Sequence, residues 1–290
     1  MQAKIANKYE ELKRVIDRHS SAVIAFSGGI DSSLVAFVAG EVLGAKALAV
    51  TSGSASLKRS DLNLAETLGS SWGIAHEIIV TDELSKPDYR SNPVNRCFHC
   101  KTSLYSSLAE ICEEKNIDVI FNGTNLDDLG DHRPGLIAAD NYQVCSPLVE
   151  AGFTKADVRS LANELGLKNA DKPQSACLSS RFPYGTAIDE NLLSQVEQSE
   201  TILENLGFTQ FRVRHHGDLA RVEVIESELE KALEYRIEIN KGLRTAGYKY
   251  ISLDLTGFRS GSLNEGLSSE QIQIVNIHNP QPAGANSSFD

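Results

Sequence analysis

The first 165 residues alternate between short apolar runs and segments in which apolar residues recur at helical spacing. Apolar runs of about six residues, bounded by polar or turn-forming residues, predict buried strands. Segments whose apolar residues recur every three or four positions predict amphipathic helices. Buried strands that alternate with helices form a parallel sheet with helices on both faces, so we predict an α/β fold. The predicted strands are 21–26, 46–51, 75–80 and 118–124, and the predicted helices are 4–18, 32–43, 57–72, 102–115 and 155–165.

The pattern of apolar positions changes near residue 189. A stretch rich in turn-forming residues, 168–186, separates the α/β pattern from a shorter series of helical and alternating segments. We predict an α/β domain over residues 1–188 and a small α+β domain over residues 189–265. Residues 266–290 are predicted to be a disordered tail. The predicted elements of the second domain are helices at 191–207 and 227–241, a strand pair within 211–224 that turns at Gly217 and Asp218, and a final strand at 248–255.

Composition narrows the classes of protein to which this chain could belong. Of its 290 residues, 41% are hydrophobic and 23% are charged, as in ordinary globular proteins. No apolar run approaches the ~18 residues that a membrane span needs, and the charged N-terminal segment lacks the apolar core of a signal peptide. We therefore predict a cytoplasmic protein without a membrane partner. The net charge of −11 counts against a nucleic-acid partner, because proteins that grip a phosphate backbone usually carry a basic face.

A loop rich in serine and glycine follows the first predicted strand and precedes a predicted helix. Its two glycines let the backbone approach an anion closely, and the helix would direct its free N–H groups at the same point. Asp31 would repel a phosphate unless it holds Mg²⁺, which indicates a metal-bridged pyrophosphate. The alternative is a simple turn with Asp31 as a helix cap. We predict an ATP site to which the following residues contribute: Ser27, Gly28, Gly29, Asp31, Ser32 and Ser33.

The motif SGGIDSS in this loop resembles the PP-loop of the N-type ATP pyrophosphatases, which include GMP synthetase, NAD synthetase, asparagine synthetase and the tRNA thiolases. The Walker motif GxxxxGK[ST] is absent from the sequence. The resemblance implies a domain similar to the adenine nucleotide alpha hydrolases. It also implies adenylation, in which a substrate oxygen attacks the α-phosphorus of ATP and pyrophosphate leaves. Further residues expected to contact ATP are Ser52, Lys101, Gly123, Thr124 and Asp127.

Five cysteines are present, an odd number that does not suggest a disulfide framework. Cys97 and Cys100 form a CxxC motif, which also occurs in redox and zinc sites, although zinc would need a fourth ligand. Cys177, in a later turn-rich segment, is the candidate third ligand. Three thiolates would leave one iron of a 4Fe–4S cluster without a protein ligand and open to bind sulfide. We interpret Cys112 and Cys145 as structural.

Six segments together are similar to the LarE family of pyridinium-3,5-biscarboxylate mononucleotide sulfurtransferases: AFSGGIDSSLVA, NRCFHCKTSL, NGTNLDDLGDHRPG, CSPL, ACLSSRFPYGT and FRVRHHGDLARVEV. The resemblance covers residues 5–265. It implies adenylation of a substrate carboxylate and its conversion to a thiocarboxylate, for the nickel-pincer nucleotide cofactor of lactate racemase. Homo-oligomers, including hexamers, are expected. Family members either sacrifice the cysteine that matches Cys177 or hold a 4Fe–4S cluster, and the additional pair Cys97 and Cys100 favours the cluster.

Arginines suit the anionic substrate that this resemblance implies, because their forked donors match carboxylates and phosphates. Arg212 and Arg214 alternate along a predicted strand and therefore share one face, with a solvated strand face as the alternative. Arg181 lies four residues after Cys177, and Glu200 could face the same pocket or the solvent. We predict that these four residues, Arg181, Arg212, Arg214 and Glu200, bind the substrate. The residues expected to act in the reaction itself are Cys177, Asp31 and Arg181.

Three other functions compete with this interpretation. A tRNA thiolase would also pair a PP-loop with a cysteine cluster, but it would need a basic face for RNA. An amide-forming enzyme similar to NAD synthetase would use ammonia and would have no need of three loop cysteines. A nucleotide-sensing module would retain ATP without releasing pyrophosphate, which would leave Asp31 and the cysteines without a role.

Overall fold

A parallel sheet of four strands, in the order β3-β2-β1-β4, forms the centre of the first half of the chain. The computed structural model describes residues 3–129, 134–172, 175–259 and 261–264. The strands are β1 Ala22–Ala25, β2 Ala47–Ser52, β3 Ala75–Ile79 and β4 Val119–Phe121. All pairings in this sheet are parallel, which confirms the predicted α/β fold. The predicted disordered tail, 266–290, lies outside the described residues.

Helices surround this sheet and continue into the second half of the chain. They are α1 Ala3–Asp17, α2 Ile30–Leu43, α3 Arg59–Trp72, α4 Pro87–Arg90, α5 Arg96–Lys115, α6 Pro134–Asn141, α7 Pro147–Glu150, α8 Lys155–Glu164, α9 Glu190–Asn205, α10 Leu229–Glu234 and α11 Arg236–Thr245. Side chains along a strand point alternately to opposite faces. Accordingly, Ile24 packs with α1, α2 and α8, whereas its neighbour Val23 packs with α5 and α6. No helix in the described ranges has the length and apolar character needed to cross a membrane.

A second sheet lies in the C-terminal part of the chain. Its strands are β5 Phe211–His216, β6 Leu219–Val224 and β7 Tyr250–Leu253. β5 pairs antiparallel with β6, and β7 joins β6 in parallel. The predicted turn between the first two strands is confirmed, and Gly217 supplies the positive φ of +62° that the turn requires. Apolar residues from α9, α10 and α11 cover one face of this sheet as a separate core.

Two predicted helices differ from the observed ones. The predicted helix over 227–241 divides into α10 and α11, because Tyr235 has a ψ of 15° that interrupts the helix while its ring packs against Phe208. The predicted helix over 102–115 begins earlier, at Arg96, so the CxxC motif lies within the first five residues of α5 and not in front of it. The turn that leads into α5 is stabilised by a hydrogen bond from the Arg96 N–H to the Pro93 carbonyl at 2.9 Å.

The region around residue 188 connects the two halves through an apolar cluster. Leu178 and Phe182 from the turn-rich stretch pack there with Leu193 and Val196 of α9, and Ile188 lies between them. The predicted boundary between residues 188 and 189 stays a prediction. This packing does, however, fix the cysteine-bearing turn-rich stretch against α9.

Candidate active site

The loop that joins β1 to α2 is held in shape by its own serines. The Ser27 backbone N–H donates to the Ser32 Oγ at 3.2 Å, and that hydroxyl donates to the Gly29 carbonyl at 3.1 Å. Gly28 has a φ of +69°, and a Cβ there would lie 3.2 Å from the Asp61 carbonyl oxygen. Glycine is therefore suited to this position. The loop precedes the N-terminus of α2, where free backbone N–H groups favour anions.

Asn169 holds this loop in place, although the sequence did not indicate it. Its buried side-chain amide donates to the Gly28 carbonyl at 3.0 Å and to the Ser33 Oγ at 2.8 Å. Ser33 is fully buried, and its hydroxyl accepts the hydrogen bond from Asn169. A contact between Ser33 and ATP stays a prediction. Asn169 and Gly28 are 141 positions apart in the sequence, which is why a local pattern could not reveal their contact.

Asp31 lies in the first turn of α2 and has a second carboxylate nearby. The Asn125 side-chain amide donates to the Asp31 Oδ1 at 2.9 Å. Burial raises the pKa of Asp31; the hydrogen bond from Asn125 opposes this rise, and the negative charge of Asp128 adds to it. A divalent cation stabilises carboxylates that are gathered in this way, so the donor set fits the predicted Mg²⁺.

The segment that follows β4 lies directly against the start of α2. A Cβ on Gly123 would lie 2.6 Å from the Ser32 backbone nitrogen, which leaves room only for glycine. The Thr124 N–H donates to the Asn122 Oδ1 at 3.0 Å and fixes the path of the segment. The structure therefore brings Gly123 and Thr124 to the same sheet edge as the β1–α2 loop.

The two neighbouring aspartates of this segment differ in their surroundings. Asp127 is exposed, and its Oδ2 accepts a hydrogen bond from the Lys155 backbone N–H at 2.8 Å, at the start of α8. Asp128 is buried and acts electrostatically on Asp31. Sequence reasoning placed both aspartates in a segment expected near the pyrophosphate and chose Asp127 as the ATP contact, which stays a prediction. An Asp-Asp pair at the start of a helical turn contains no signal that distinguishes its two members.

Ser52 ends β2, beside the strand that leads into the β1–α2 loop. Its Oγ lies 2.7 Å from the Thr81 Oγ1. The neighbouring Thr51 donates to the Phe26 carbonyl at 2.7 Å, so the end of β2 is tied to the residue that precedes the loop. The predicted contact of Ser52 with ATP stays a prediction, and the position of Ser52 at this sheet edge is compatible with it.

The charge of Cys177 acts on the pKa of both Cys97 and Cys100, and we call the region around these three residues the cysteine recess. Cys97 and Cys100 lie within the first five residues of α5, and Cys177 directly precedes a 3₁₀ turn, Leu178–Arg181. Burial raises the pKa of Cys100 to about 12, and the nearby groups Glu83, Cys177 and Cys97 add to the rise. Burial of the thiol also raises the pKa of Cys97, although the residue as a whole is exposed.

The described ranges contain no group of three His, Cys, Asp or Glu side chains placed to hold a metal ion. Thiolates are the ligands of a 4Fe–4S cluster, so the three cysteines fit such a cluster by their chemistry. Lys101 is predicted to contact ATP, and its pKa is raised by Tyr105 first and then by Cys100, Cys97 and Cys177, against the opposing effect of burial. Its contact with ATP stays a prediction.

The segment that carries Cys177 is held by buried hydrogen bonds to the region of α4 and α5. The Tyr89 Oη lies 2.6 Å from the Ser179 Oγ. The Arg96 Nη1 donates to the Ser179 carbonyl at 2.8 Å and to the Asn92 Oδ1 at 2.5 Å. The position of Cys177 relative to the CxxC pair is thus determined by side chains that no motif of the sequence pointed out.

Arg181 is fully buried and forms a two-point ion pair with Glu200. Its Nε and Nη2 donate to the two carboxylate oxygens at 2.8 and 2.9 Å. Its Nη1 donates to the carbonyls of Ala176 and Cys177 at 2.7 and 3.0 Å. Burial alone would raise the pKa of Glu200, but the charges and hydrogen bonds of Arg181 and Lys58 outweigh it and lower the pKa to about 2.

This ion pair changes the interpretation of Arg181 and Glu200. The sequence predicts that both contact the substrate, which stays a prediction. In the structure the Arg181 guanidinium has no exposed surface, and its donors are used by Glu200 and by the backbone around Cys177. The contacts of Arg181 therefore position the Cys177 segment.

The two strand arginines also differ from each other. Arg214 is buried and donates to the Glu223 Oε2 from Nε and Nη2 at 3.0 and 2.8 Å. Arg212 is half-buried, stacks over the Phe258 ring at 5.0 Å and forms no ion pair with a carboxylate of the described residues. Burial lowers the pKa of Arg212 to about 10, and the charge of Arg181 contributes further. Of the predicted substrate ligands, Arg212 is the one with an accessible and uncompensated charge.

A cavity of about 380 Å³ is lined by residues of α3, α9 and β5 together with Lys172 and Ser175. Its wall includes Asp61, whose carboxylate accepts from the Lys172 Nζ at 2.6 Å and from the Ser175 Oγ at 2.7 Å. The Asp61 carbonyl lies beside Gly28 of the β1–α2 loop, and Ser175 is two residues before Cys177. The polar lining residues are Lys58, Ser60, Asp61, Lys172, Ser175, Glu204, Thr209 and Arg212.

Comparison with known proteins places this geometry in context. The NAD synthase family model matches residues 6–88, the part of the chain that contains the β1–α2 loop. A tRNA-specific 2-thiouridylase of Rickettsia bellii is 28% identical over 232 residues, which cover 66% of this chain and 62% of that protein. The match to the NAD synthase family includes the SGGIDSS region, and neither similarity spans the whole chain.

Two further relatives match over almost their full length. An uncharacterized protein of Synechocystis sp. is 40% identical over 265 residues, 91% of this chain and 99% of that protein. The pyridinium-3,5-bisthiocarboxylic acid mononucleotide synthase of Lactiplantibacillus plantarum is 36% identical over 271 residues, 93% of this chain and 98% of that protein. The chain therefore belongs to the LarE family of ATP-dependent sulfurtransferases, within the PP-loop ATP pyrophosphatases.

Proposed function

We propose that this enzyme adenylates a carboxylate of pyridinium-3,5-biscarboxylate mononucleotide, releases pyrophosphate and inserts sulfur to give the thiocarboxylate. This reaction would serve the biosynthesis of the nickel-pincer nucleotide cofactor. The observation that carries the proposal is the cavity lined by Asp61, Ser175 and Arg212, because the Asp61 carbonyl lies beside Gly28 of the PP-loop and Ser175 is two residues before Cys177. The name of the Lactiplantibacillus plantarum relative, a pyridinium-3,5-bisthiocarboxylic acid mononucleotide synthase, supports the choice of substrate.

The PP-loop residues would bind the phosphates of ATP. Gly28 and Gly29 allow the backbone to approach them, and the first turn of α2 offers its free N–H groups. Asp31 and Asp128 would hold Mg²⁺ between them and the pyrophosphate, and the bound ion neutralises charge on the leaving group. Asn169 and Gly123 keep the loop and α2 in place for the attack on the α-phosphorus.

The cysteine recess would deliver the sulfur atom. Cys97, Cys100 and Cys177 would hold a 4Fe–4S cluster, which supplies an iron without a protein ligand where exogenous sulfide can be held. Arg181 and Arg96 keep the Cys177 segment in position through its backbone carbonyls. Sacrifice of the Cys177 sulfur is the alternative, and it would leave dehydroalanine after one turnover.

Arg212 would bind an anionic group of the substrate. It is half-buried in the wall of the cavity and free of a carboxylate partner among the described residues, so its charge is available to a phosphate or carboxylate. The other two cations in the same wall are already compensated, Lys58 by Glu200 and Lys172 by Asp61. Arg212 is thus the residue on which we expect substrate affinity to depend most.

The deciding experiment is anaerobic purification with iron and sulfide analysis, followed by a pyrophosphate-release assay with the pyridinium substrate. We expect substrate-dependent release of pyrophosphate and, when sulfide is supplied, repeated formation of the thiocarboxylate. Asp31→Asn is the control that should bind the substrate without releasing pyrophosphate. Absence of iron together with a mass loss of one sulfur at Cys177 would show the sacrificial route. Absence of pyrophosphate release with this substrate would contradict the proposal itself.

A tRNA thiolase is the second candidate, supported by the similarity to the Rickettsia bellii protein. The net charge of −11 disfavours it, because a protein that binds tRNA needs cations along the phosphate backbone. Filter binding with total tRNA tests it, and retention of tRNA at physiological salt would favour the thiolase. The NAD synthase match, confined to residues 6–88, concerns the nucleotide-binding part and does not identify the group that ATP activates.

The assembly and cellular location stay predictions within this proposal. The family resemblance implies a homo-oligomer, with a hexamer among the forms, and the sequence predicts a cytoplasmic enzyme. Light scattering coupled to size-exclusion chromatography measures the oligomer directly. A monomer at micromolar concentration would contradict the first of these predictions.

A further inference from the structure

Arg212 and Arg214 lie on the same face of β5, but only Arg214 is balanced by a carboxylate. Arg214 donates to the Glu223 Oε2 from Nε and Nη2. Arg212 forms no ion pair with a carboxylate of the described residues, and its Nη1 donates to the Phe211 carbonyl at 2.7 Å. The guanidinium carbon of Arg212 lies 5.0 Å from the centroid of the Phe258 ring. An aromatic ring is therefore the partner of Arg212, whereas a carboxylate is the partner of Arg214.

The carboxylates around Arg212 are already paired with other cations. Two of them, Glu200 and Glu223, act electrostatically on Arg212. The ion pairs in this group are those of Glu200 with Arg181 and Lys58, of Glu223 with Arg214 and Arg221, and of Asp254 with Arg221. The cations of this group outnumber its carboxylates, so the charge of Arg212 stays available to an anionic ligand.

An aromatic ring holds a guanidinium group in a different way from a carboxylate. The face of the ring attracts the cation and leaves the N–H donors in the guanidinium plane free. A carboxylate occupies those donors and cancels the charge, as Glu223 does for Arg214. Arg212 is thus restrained by Phe258 and still able to donate hydrogen bonds to a phosphate or a carboxylate.

The segment that carries Phe258 is anchored to the end of β6, and we call residues 254–259 the C-terminal strap. The Phe258 N–H donates to the Val224 carbonyl at 2.7 Å. The preceding Gly257 has a φ of +75°, and a Cβ there would lie 2.7 Å from the Val224 carbonyl oxygen, so only glycine fits. The C-terminal strap therefore places the ring beside Arg212 through backbone contacts that do not involve the ring itself.

We propose that Phe258 is a positioning residue for Arg212, whose guanidinium its ring holds at the cavity wall without neutralising the charge. Among the described residues, Arg212 lines the cavity of about 380 Å³ and Phe258 does not, so the ring covers Arg212 from outside the cavity. The proposal rests on the assignment of Arg212 as a substrate ligand made above, and it adds the residue on which the orientation of Arg212 depends. The ring acts through Arg212 and does not touch the substrate.

The first test measures how Arg212 is covered, without ATP, substrate or cluster. Phenylglyoxal modifies accessible guanidinium groups, and peptide mass spectrometry gives the rate at each arginine, with exposed Arg244 on α11 as the internal reference. In Phe258→Leu the rate at Arg212 relative to Arg244 should rise about three-fold or more, because the guanidinium loses its attraction to the ring. Phe258→Tyr and the control Leu255→Ala, at an 84% exposed position of the C-terminal strap, should keep the wild-type ratio. An unchanged ratio in Phe258→Leu would overturn the proposal.

The second test measures the effect of the ring in the complete enzyme. In Phe258→Leu the KM for the pyridinium substrate should rise roughly five- to ten-fold, while kcat and the KM for ATP stay constant. Phe258→Tyr should keep the wild-type KM, because the half-buried ring retains its face and its added hydroxyl can reach solvent. A rise in the KM for both substrates, or a loss of kcat alone, would indicate a general disturbance of the fold and overturn the proposal.

A double-mutant cycle shows whether the ring acts through Arg212. In the Arg212→Ala background, Phe258→Leu should leave kcat/KM for the pyridinium substrate unchanged, because the group that the ring positions is missing. An equal loss with and without Arg212 would mean that the ring acts independently of Arg212 and would overturn the proposal. Failure of the proposed function would appear as absent pyrophosphate release in the wild type, on which the phenylglyoxal rates do not depend. The two failures are therefore distinguishable.

Discussion

Replacing Glu200 by Gln removes the charge that faces Arg181 while it preserves the size of the side chain. Both side chains are at most 1% exposed. In the variant, the Arg181 guanidinium would stay buried without its counter-charge, which costs about 3–5 kcal/mol of unfolding free energy. The pKa of Glu200 gives a similar change in unfolding free energy, because a decrease in pKa from 4.5 to about 2 corresponds to about 3 kcal/mol.

The stabilisation by Glu200 depends on pH in a defined direction. Because its pKa is lower in the folded than in the unfolded protein, the contribution is complete above pH 4.5 and is lost as the pH falls toward about 2. Urea titrations followed by circular dichroism should show that Glu200→Gln is about 3 kcal/mol less stable than the wild type at neutral pH. This difference should shrink as the pH falls below about 4.5. Glu204→Gln, one turn further along α9 and exposed, should stay within about 0.5 kcal/mol of the wild type.

Two outcomes would refute this reasoning about Glu200. One is a difference in unfolding free energy below about 1 kcal/mol at neutral pH, because it would mean that the ion pair is not compensating a buried charge. The other is a difference that does not change as the pH falls through the window between the two pKa values. If Glu200 instead contacts the substrate directly, as the sequence predicts, the variant would raise the KM for the nucleotide substrate and leave the unfolding free energy unchanged.

Three further variants test other parts of the site. Gly123→Ala should weaken Mg·ATP binding in isothermal titration calorimetry by roughly ten-fold or more, because its Cβ would lie 2.6 Å from the Ser32 nitrogen. Gly40→Ala is the control and should bind Mg·ATP like the wild type, because its Cβ would make an ordinary 3.7 Å contact with Ile74. Asn169→Ala removes two hydrogen bonds to the PP-loop and should raise the KM for ATP by about ten-fold. An unchanged KM for ATP would show that the loop keeps its shape without Asn169. Arg212→Ala should raise the KM for the pyridinium substrate at least about ten-fold with ATP affinity intact, and unchanged substrate dependence would exclude Arg212 as a ligand.

The sheet and the PP-loop were predictable because local patterns determine them. The apolar run at 21–26 contains β1, and the glycines that follow allow the chain to turn into α2. Gly28 adopts the left-handed conformation that its residue type permits, and Gly123 packs where no side chain fits. Such features depend on a few neighbouring residues, so a single sequence contains the information.

Side-chain partners were not predictable in the same way. Arg181 lies close to Cys177 in the sequence and suggested a substrate ligand, yet its partner is Glu200 on α9. The choice among the chain's many carboxylates depends on the packing of α9 against the turn-rich stretch, which no local pattern contains. The start of α5 was missed for a different reason: the residues of its first turn, with Cys97 and His99, lack the apolar spacing by which helices are recognised.

Asp61 links the parts of the candidate site through one rigid element. It lies in the first turn of α3, its carbonyl limits the space at Gly28, and its carboxylate binds Lys172 and Ser175. Since Ser175 is two residues before Cys177, these contacts fix the separation between the PP-loop and the cysteine segment. Asp61 and Ser175 also line the cavity of about 380 Å³, so the same contacts shape its wall.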